Sequence, residues 1–223
     1  HGVIAVNLMS SPGAGKTALL EATIKELGDE YSIAVIEGDL ETENDAERIR
    51  KHGVKAVQIT TGSACHLDAH MVHDAVHELN LAGLDIVFIE NVGNLVCPAS
   101  FDLGQHTNVV LLSVPEGDDK PAKYPVMFRS ADMVMLSKAD LLPVLDDFSQ
   151  ERAENYIRNL ASSAPVIPTS AKTGDGVKDW LQWLREAVDA NLQALKDAPP
   201  VPAHHHHHEH GDEHHHDATH THG

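Results

Sequence analysis

The sequence predicts an α/β fold built on a doubly wound, mostly parallel sheet. Short apolar runs alternate with helix-like segments along most of the 223-residue chain, which is the order expected for such a sheet. Hydrophobicity within each run is continuous rather than alternating, as in strands that are buried on both faces. A ligand is therefore expected at the carboxyl ends of the strands.

Each apolar run is rich in valine, isoleucine, leucine or alanine and has the length of a single strand. Strands are predicted at residues 3–9, 32–36, 56–60, 85–89, 109–114, 132–136 and 165–168. Helices are predicted at residues 16–27, 43–52, 65–79, 121–130, 149–161 and 177–195.

The composition divides the chain into a domain at residues 1–198 and a proline linker with a histidine-rich tail at residues 199–223. The apolar content of 42 % is sufficient for a core, whereas the tail is too polar to fold and is expected to be disordered without a ligand. A formal net charge of −18 argues against nucleic acid or an anionic membrane as a partner. Two cysteines, without a secretory signal or a long apolar run, predict a cytoplasmic protein.

A phosphate-binding loop is predicted at residues 10–17, between the first strand and the first helix. The run reads Ser-Ser-Pro-Gly-Ala-Gly-Lys-Thr, with Ser10 where the P-loop motif usually has its first glycine. Lys16 is expected to contact the β- and γ-phosphates, and Thr17 to bind Mg²⁺. The predicted nucleotide contacts of this loop are Gly13, Ala14, Gly15, Lys16, Thr17 and Ala18. The fold class is therefore a P-loop NTPase.

The nucleotide is predicted to be GTP from a second motif. Lys138-Ala139-Asp140 resembles the Asn-Lys-x-Asp motif of GTPases, with Ser137 in the place of asparagine. The Asp140 carboxylate is able to accept from guanine N1–H and the 2-amino group together, a donor pair that adenine lacks. Residues 169–172, Thr-Ser-Ala-Lys, resemble the loop that backs the base in the same proteins. The predicted base contacts are Lys138, Asp140, Ser170, Ala171 and Lys172.

Two acidic residues at the ends of predicted strands are candidates for Mg²⁺ binding and catalysis. Asp39 follows the second strand and Glu90 the fourth, and parallel strands bring these ends to one edge of the sheet. Mg²⁺ prefers oxygen ligands and retains waters, so Asp39 is expected to bind it directly or through water. The predicted catalytic residues are Lys16, Asp39 and Glu90, with Asp45 as a weaker candidate. The same acids also fit solvated loop positions.

A softer metal site is predicted from Cys65, His66 and Cys97. Both cysteines follow predicted parallel strands, so their loops leave the same edge of the sheet. Two thiolates and an imidazole suit Ni²⁺ or Zn²⁺, and three ligands leave room for a water or for a ligand from a second subunit. The pattern alone also fits two buried apolar cysteines with a surface histidine, or a disulfide.

The tail is rich in histidine, and imidazoles at this density are typical of a low-affinity store for Ni²⁺, Zn²⁺ or Cu²⁺. Interruptions by glutamate, glycine and aspartate argue against a purification tag. The predicted tail ligands are His204, His205, His206, His207, His208, His210, His214, His215 and His216.

Another group of histidines is spaced for one face of the helix predicted at residues 65–79. Its members are His66, His70, His73 and His77. Spacings of three and four residues place them on one stripe of a helix. The stripe fits either a solvated polar face or a ladder of weak metal ligands that begins at the cysteine–histidine site, since histidines at i and i+4 can share a metal.

Together these motifs resemble the HypB family, the GTPases needed to insert nickel into [NiFe]-hydrogenase. The resemblance covers about residues 3–195, and its most specific part is residues 89–98, Ile-Glu-Asn-Val-Gly-Asn-Leu-Val-Cys-Pro. It implies slow GTP hydrolysis, dimerisation around nucleotide, and metal at Cys65, His66 and Cys97 near the dimer interface. Implied partners are a nickel-accepting hydrogenase precursor and companion maturation proteins. The C-terminal position of the histidine-rich segment departs from its usual N-terminal place.

Three alternatives remain beside this resemblance. The related urease nickel GTPase typically carries Cys-Pro-His, whereas here Cys97-Pro98 is followed by Ala99. A nickel storage protein with little GTPase activity is a second alternative, which the intact Lys16 and Asp140 disfavour. A plain nucleotide-binding fold with a tail is the third, and it predicts no link between metal and nucleotide.

Overall fold

The computed structural model describes residues 1–39, 44–62, 64–160 and 162–198. Within them, seven strands form one sheet in the order β3-β2-β4-β1-β5-β6-β7, and all neighbouring strands are parallel. The strands are β1 Ile4–Ser10, β2 Ile33–Asp39, β3 Lys55–Thr60, β4 Ile86–Glu90, β5 Thr107–Ser113, β6 Met133–Ser137 and β7 Val166–Thr169. The predicted fold class is confirmed. The largest difference is at β2, which continues to Asp39, beyond the predicted end at residue 36.

Helices connect the strands on both faces of the sheet. Those in the described residues are α1 Lys16–Leu27, α2 Asn44–Arg50, α3 Ala69–Leu79, α4 Lys120–Lys123, α5 Pro125–Arg129, α6 Gln150–Asn159 and α7 Val177–Asp197. Short 3₁₀ turns lie at Cys97–Ser100, Val114–Glu116 and Ala139–Val144.

Two predicted helices differ from the observed ones. The helix predicted from residue 65 begins at Ala69, because the Asp68 side chain accepts a hydrogen bond from Met71 N at 2.9 Å and caps the helix there. The helix predicted at residues 121–130 is divided into α4 and α5 at Tyr124. The division follows from Pro125, since a proline disfavours helical conformation in the residue before it.

The core lies on both faces of the sheet. On one face α1 and α7 pack over Leu8 and Phe88, and the fully buried Trp180 donates from Nε1 to Thr23 Oγ1 at 2.8 Å. That bond satisfies an indole N–H that burial would otherwise leave without a partner. α3, α5 and α6 pack on the other face. Each large apolar side chain buried in this way contributes about 1.5–3 kcal/mol to folding.

The site is positioned where the order of strands reverses around β1. This strand lies between β4 and β5, so the carboxyl ends of β1, β2, β4 and β6 open on one edge of the sheet. Ser10, Glu37, Glu90 and Ser137 lie at or near those ends.

Some predicted features lie outside the described residues. They are residue 43 of the second predicted helix, residue 161 of the fifth, and the linker and tail at residues 199–223 with all the predicted tail ligands. Among the residues that are described, no helix combines the length and apolar character needed to cross a membrane.

Candidate nucleotide and metal site

The predicted phosphate-binding loop joins β1 to α1. Gly13 and Gly15 have φ values of 73° and 102°, which glycine adopts readily and other residues do not. The buried Lys16 donates from Nζ to Ser10 Oγ at 3.1 Å and lies 3.9 Å from Glu90 Oε1. The serine that replaces the first glycine of the motif therefore helps to position the lysine.

Two buried carboxyl groups lie beside this loop. Glu37 and Glu90 occupy paired positions on β2 and β4 and are only 2 % and 5 % exposed. Glu90 Oε1 accepts a hydrogen bond from Thr17 Oγ1 at 3.0 Å. Burial raises the pKa of both groups; the neighbouring Glu90 raises that of Glu37 further, and Lys16 opposes the rise at both. The pair therefore holds a proton more readily than exposed glutamates do.

A cavity of about 370 Å³ opens between the phosphate loop and these acids. The Oε1 atom of Glu37 and the Oε2 atom of Glu90 are buried without a hydrogen-bond partner, and Thr17 Oγ1 lies beside them. Hard oxygen donors of this kind fit Mg²⁺. Asp45, the weaker candidate from the sequence, also lines the cavity and is paired with Arg48 at 2.9 Å.

Glu37 does not appear among the predicted site residues, although it is buried in the site. The sequence pointed instead to Asp39, two residues further along β2. Asp39 is the last residue of β2, and its assignment to Mg²⁺ remains a prediction. The sequence does contain a sign of the role of Glu37, because its carboxyl group lies inside a continuous apolar run. Burying such a group is costly unless it has a partner.

A second cavity, of about 320 Å³, brings the predicted base contacts together. Asp140 Oδ1 accepts a hydrogen bond from Ser170 Oγ at 2.8 Å, so the later motif orients the carboxylate of the earlier one. Ser137 Oγ donates to Ala14 O at 2.7 Å and ties β6 to the phosphate loop. The predicted contacts that line this cavity are Ala14, Gly15, Ala18, Lys138, Asp140, Ser170, Ala171 and Lys172.

The three predicted soft ligands also lie together. The donor atoms of Cys65, His66 and Cys97 are all within 4.8 Å of one another. The two Sγ atoms are 3.0 Å apart and both cysteines are free. The His66 ring stacks on Phe101 with centroids 3.8 Å apart, which orients Nδ1 toward Cys65 Sγ at 3.8 Å. The Sγ separation is longer than the roughly 2.05 Å of a disulfide bond, and the exposed Cys65 and half-buried Cys97 are not a pair of core cysteines.

The loop after β4 connects Cys65, His66 and Cys97 to the phosphate loop. These three residues are called the thiolate cluster, after the form in which cysteine binds metal. Asn94 N donates to Ser10 O at 2.8 Å, and Asn94 Nδ2 donates to Cys65 O at 3.2 Å. Asn94 Oδ1 accepts from the backbone N–H of Val96 at 2.8 Å and of Cys97 at 3.4 Å. One asparagine thus contacts the phosphate loop and both segments that carry the cysteines.

Close packing fixes the path of the same loop. A Cβ atom on Gly93 would lie 2.8 Å from Pro12 Cα, so the loop and the phosphate loop are in direct contact there. Asn91 Oδ1 accepts from Leu67 N at 3.3 Å, next to His66. Neither asparagine is among the residues predicted for the site. The signal lies in the Asn-Val-Gly-Asn run, where short polar side chains satisfy backbone groups of an irregular loop.

The parallel sheet, the phosphate loop at its carboxyl edge and the adjoining base cavity define a P-loop nucleotide-binding domain. The family model described as "CobW/HypB/UreG, nucleotide-binding domain" matches residues 4–168. This chain belongs to that family.

Individual relatives agree with this placement. The hydrogenase maturation factor HypB of Azotobacter chroococcum mcd 1 is 54 % identical over 195 residues, which cover 86 % of this chain and 63 % of the relative. The chain thus spans less than two thirds of the first such relatives. The crystal structure of HypB from Helicobacter pylori in complex with nickel matches with a TM-score of 0.80 and 46 % identity, over 86 % of this chain and 89 % of that one. HypB from Archaeoglobus fulgidus matches with a TM-score of 0.78 and 40 % identity, over 84 % and 91 % of the two chains. The resemblance inferred from the motifs is confirmed.

The Glu37→Gln variant is expected to stabilise the nucleotide-free, metal-free protein at pH 8. The folded-state pKa of Glu37 is raised above the ordinary value of 4.5, so the folded chain keeps a proton that the unfolded chain releases. Its contribution to stability is complete below pH 4.5 and is lost as pH rises toward the folded-state pKa. Glutamine has no such proton to lose. The free energy of unfolding of the variant should therefore fall by about 1–3 kcal/mol less than that of the parent between pH 5 and pH 8.

Urea unfolding at the two pH values measures this difference. Glu47→Gln, at an exposed carboxyl group of α2, is the matched control and should behave like the parent. An unchanged pH dependence in Glu37→Gln would contradict the assignment.

Proposed function

We propose that this chain is a GTP-hydrolysing nickel carrier that assists nickel insertion into a [NiFe]-hydrogenase. The similar proteins are named as hydrogenase maturation factors, and the solved Helicobacter pylori relative contains nickel. The observation that carries the proposal is the position of Asn94, which is hydrogen-bonded to both the phosphate loop and the Cys65 segment. Such a connection allows the nucleotide state and the metal ligands to influence each other.

Hydrolysis in this proposal depends mainly on positioning and on neutralising charge. The amides of the phosphate loop and Lys16 bind the triphosphate and stabilise charge on the transferred phosphoryl group. Thr17, Asp39 and Glu90 would hold Mg²⁺ directly or through water, and the bound ion would further neutralise the phosphate oxygens. Water attacks the γ-phosphate, and GDP and phosphate are the products. Turnover is expected to be slow because, in the described part of the chain, no residue is assigned as a catalytic base or an arginine finger.

The Asp140→Asn variant is expected to weaken GTP binding and to favour xanthosine triphosphate. Guanine loses the acceptor for its N1–H and 2-amino groups, whereas the 2-oxo group of xanthine gains a donor. Isothermal titration calorimetry should show a loss of GTP affinity on the order of a hundredfold or more. Asp146→Asn, at an exposed carboxyl group in the same segment, is the control. Equal affinities of the parent chain for ATP and GTP would rule out the guanine assignment.

The thiolate cluster is proposed to carry Ni²⁺, with Zn²⁺ as the alternative occupant. Its three ligands, Cys65, His66 and Cys97, leave coordination positions open that a second copy of the chain would complete in a homodimer. The exposed apolar side chains of Val96 and Phe101, 60 % and 40 % exposed, flank the cluster and suit such an interface.

The proposed partners are a nickel-accepting hydrogenase precursor and companion maturation proteins, in the cytoplasm. A urease-type nickel GTPase is the nearest alternative. It is disfavoured because Ala99 follows Cys97-Pro98, and the histidine of the cluster comes from beside Cys65 instead. A nickel store with little turnover is disfavoured by the ordered contact of Lys16 inside the phosphate loop.

The Asn94→Ala variant is expected to uncouple nucleotide from metal while both sites remain able to bind. Its backbone bond to Ser10 is kept, but the side-chain bonds to Cys65 O and Cys97 N–H are lost. In the parent, Ni²⁺ should change the affinity for a non-hydrolysable GTP analogue by about 5–150-fold, and the analogue should change Ni²⁺ affinity by the same factor. In the variant that factor should approach one.

Calorimetric titrations with and without the second ligand measure the coupling. Asn159→Ala, at an exposed asparagine of α6, is the control. A coupling factor equal to that of the parent in Asn94→Ala would remove the observation on which the function rests.

The histidine tail is proposed to store metal without taking part in hydrolysis. Deleting residues 204–223 should reduce the bound Ni²⁺ several-fold and leave GTP turnover unchanged, because the tail follows a proline-rich linker. Adding Cys65→Ala and Cys97→Ala to the deletion should then remove the remaining tight metal. Elemental analysis after dialysis and phosphate release are the measurements. Loss of turnover on deletion, or tight metal in the cysteine variant, would contradict these roles.

A further inference from the structure

The histidine stripe predicted for one helix is divided in the structure. His66 precedes α3, because the cap at Asp68 starts the helix after it, and the expectation that all the histidines share one helix is wrong. His70 lies beside Asp74, with Nδ1 3.5 Å from Oδ2. The two remaining histidines of the stripe lie one helical turn apart on an exposed part of α3.

The side chains of His73 and His77 face each other. Their Nε2 atoms are 3.0 Å apart, and their rings meet at 82° with centroids 4.4 Å apart. Two imidazole nitrogens that bind one ion at about 2.0–2.1 Å and at right angles to each other are also separated by about 3 Å. The donor atoms therefore already have the spacing of neighbouring ligands around one metal ion.

The helix holds this spacing with little further ordering. Val72, Ala75 and Leu79 are buried on the opposite side of α3 and fix its backbone against the sheet. A pair of ligands on a fixed backbone loses less conformational entropy on binding than a pair on a mobile chain. Both histidines are exposed, so water is available for the remaining coordination positions.

The donor type defines the class of ion. Imidazole suits Ni²⁺, Cu²⁺ and Zn²⁺, whereas Mg²⁺ and Ca²⁺ prefer oxygen ligands. The net charge of −18 favours cations near the chain in general. Two protein ligands are fewer than a structural zinc site uses, so the bound ion is expected to exchange readily.

We propose that His73 and His77 form a further, exposed metal site on α3 for a divalent ion of the nickel, copper and zinc group. It differs from the thiolate cluster in ligand type, since it contains no sulfur. It also differs in position, because His66 precedes α3 whereas His73 lies about 6 Å along the helix axis from the first residue of α3. The site goes beyond the proposed function and does not depend on nucleotide, on hydrolysis or on the identity of the metal at Cys65.

A different arrangement would produce the same contact. Two imidazoles are also held about 3 Å apart when one ring donates a hydrogen bond to the other. The response to metal separates the two, since added metal would leave a purely hydrogen-bonded pair as reactive as before.

Modification of histidines by diethyl pyrocarbonate, located along the full chain by fragmentation in a mass spectrometer, tests the site without interference from the tail. Ni²⁺ is the probe and is added beyond the capacity of the tail and the thiolate cluster. Protection of His73 and His77 should follow a single saturation curve, while His70 remains reactive. In His73→Gln the midpoint for protecting His77 should rise at least about tenfold, and His77→Gln should affect His73 in the same way.

The His70→Gln variant, on the same exposed helix, is the control and should leave both midpoints unchanged. Reactivity of the pair that is unaffected by Ni²⁺, or an unchanged midpoint for His77 in His73→Gln, would overturn the proposal. Far-UV circular dichroism checks the helix in each variant. If a variant unfolds, the protection of His73 and His77 by Ni²⁺ in the parent chain still tests the site. GTP turnover is not part of the readout, so failure of the proposed function would not alter the result.

Discussion

The parallel pairing of β4 with β1 and β2 is the constraint on which the site depends. Its register places Glu90 opposite Glu37 on one side and opposite Leu8, two residues before the end of β1, on the other. Because the chain leaves β4 at its carboxyl end, the following loop passes directly against Pro12 in the phosphate loop before it reaches Cys97. The phosphate cavity and the thiolate cluster are therefore neighbours because of the order and direction of the strands.

The same pairing creates an electrostatic imbalance. Burying two carboxyl groups side by side is costly, and one lysine together with one hydroxyl group compensates only part of the charge. Burial therefore raises the pKa of Glu37 and of Glu90, which favours a proton on the pair when no cation is bound. A divalent cation beside phosphate would replace that proton and compensate the charge, which is the physical basis for the proposed Mg²⁺ site.

Three kinds of metal ligand are kept apart along the chain. Buried carboxyl groups and a hydroxyl line the phosphate cavity, two cysteine sulfurs with one imidazole form the cluster at Cys65, and paired imidazoles lie on the exposed side of α3. Since hard oxygen ligands and softer sulfur or nitrogen ligands prefer different ions, the proposed Mg²⁺ and Ni²⁺ would not compete for one position. The short loop through Asn94 then connects two sites that differ in chemistry.

By itself, the sequence determined the features that depend on local pattern: the alternation of strands and helices, the phosphate loop, the two base motifs and the cysteine–histidine set. Each is carried by spacing or by continuous hydrophobicity within a few residues. Tertiary structure alone decided that Glu37 meets Glu90 and that Asn94 meets Ser10, because strand register joins residues more than fifty positions apart. It also decided that His66 leaves the stripe while His73 and His77 pair, since capping and side-chain orientation choose among arrangements that the same spacing allows.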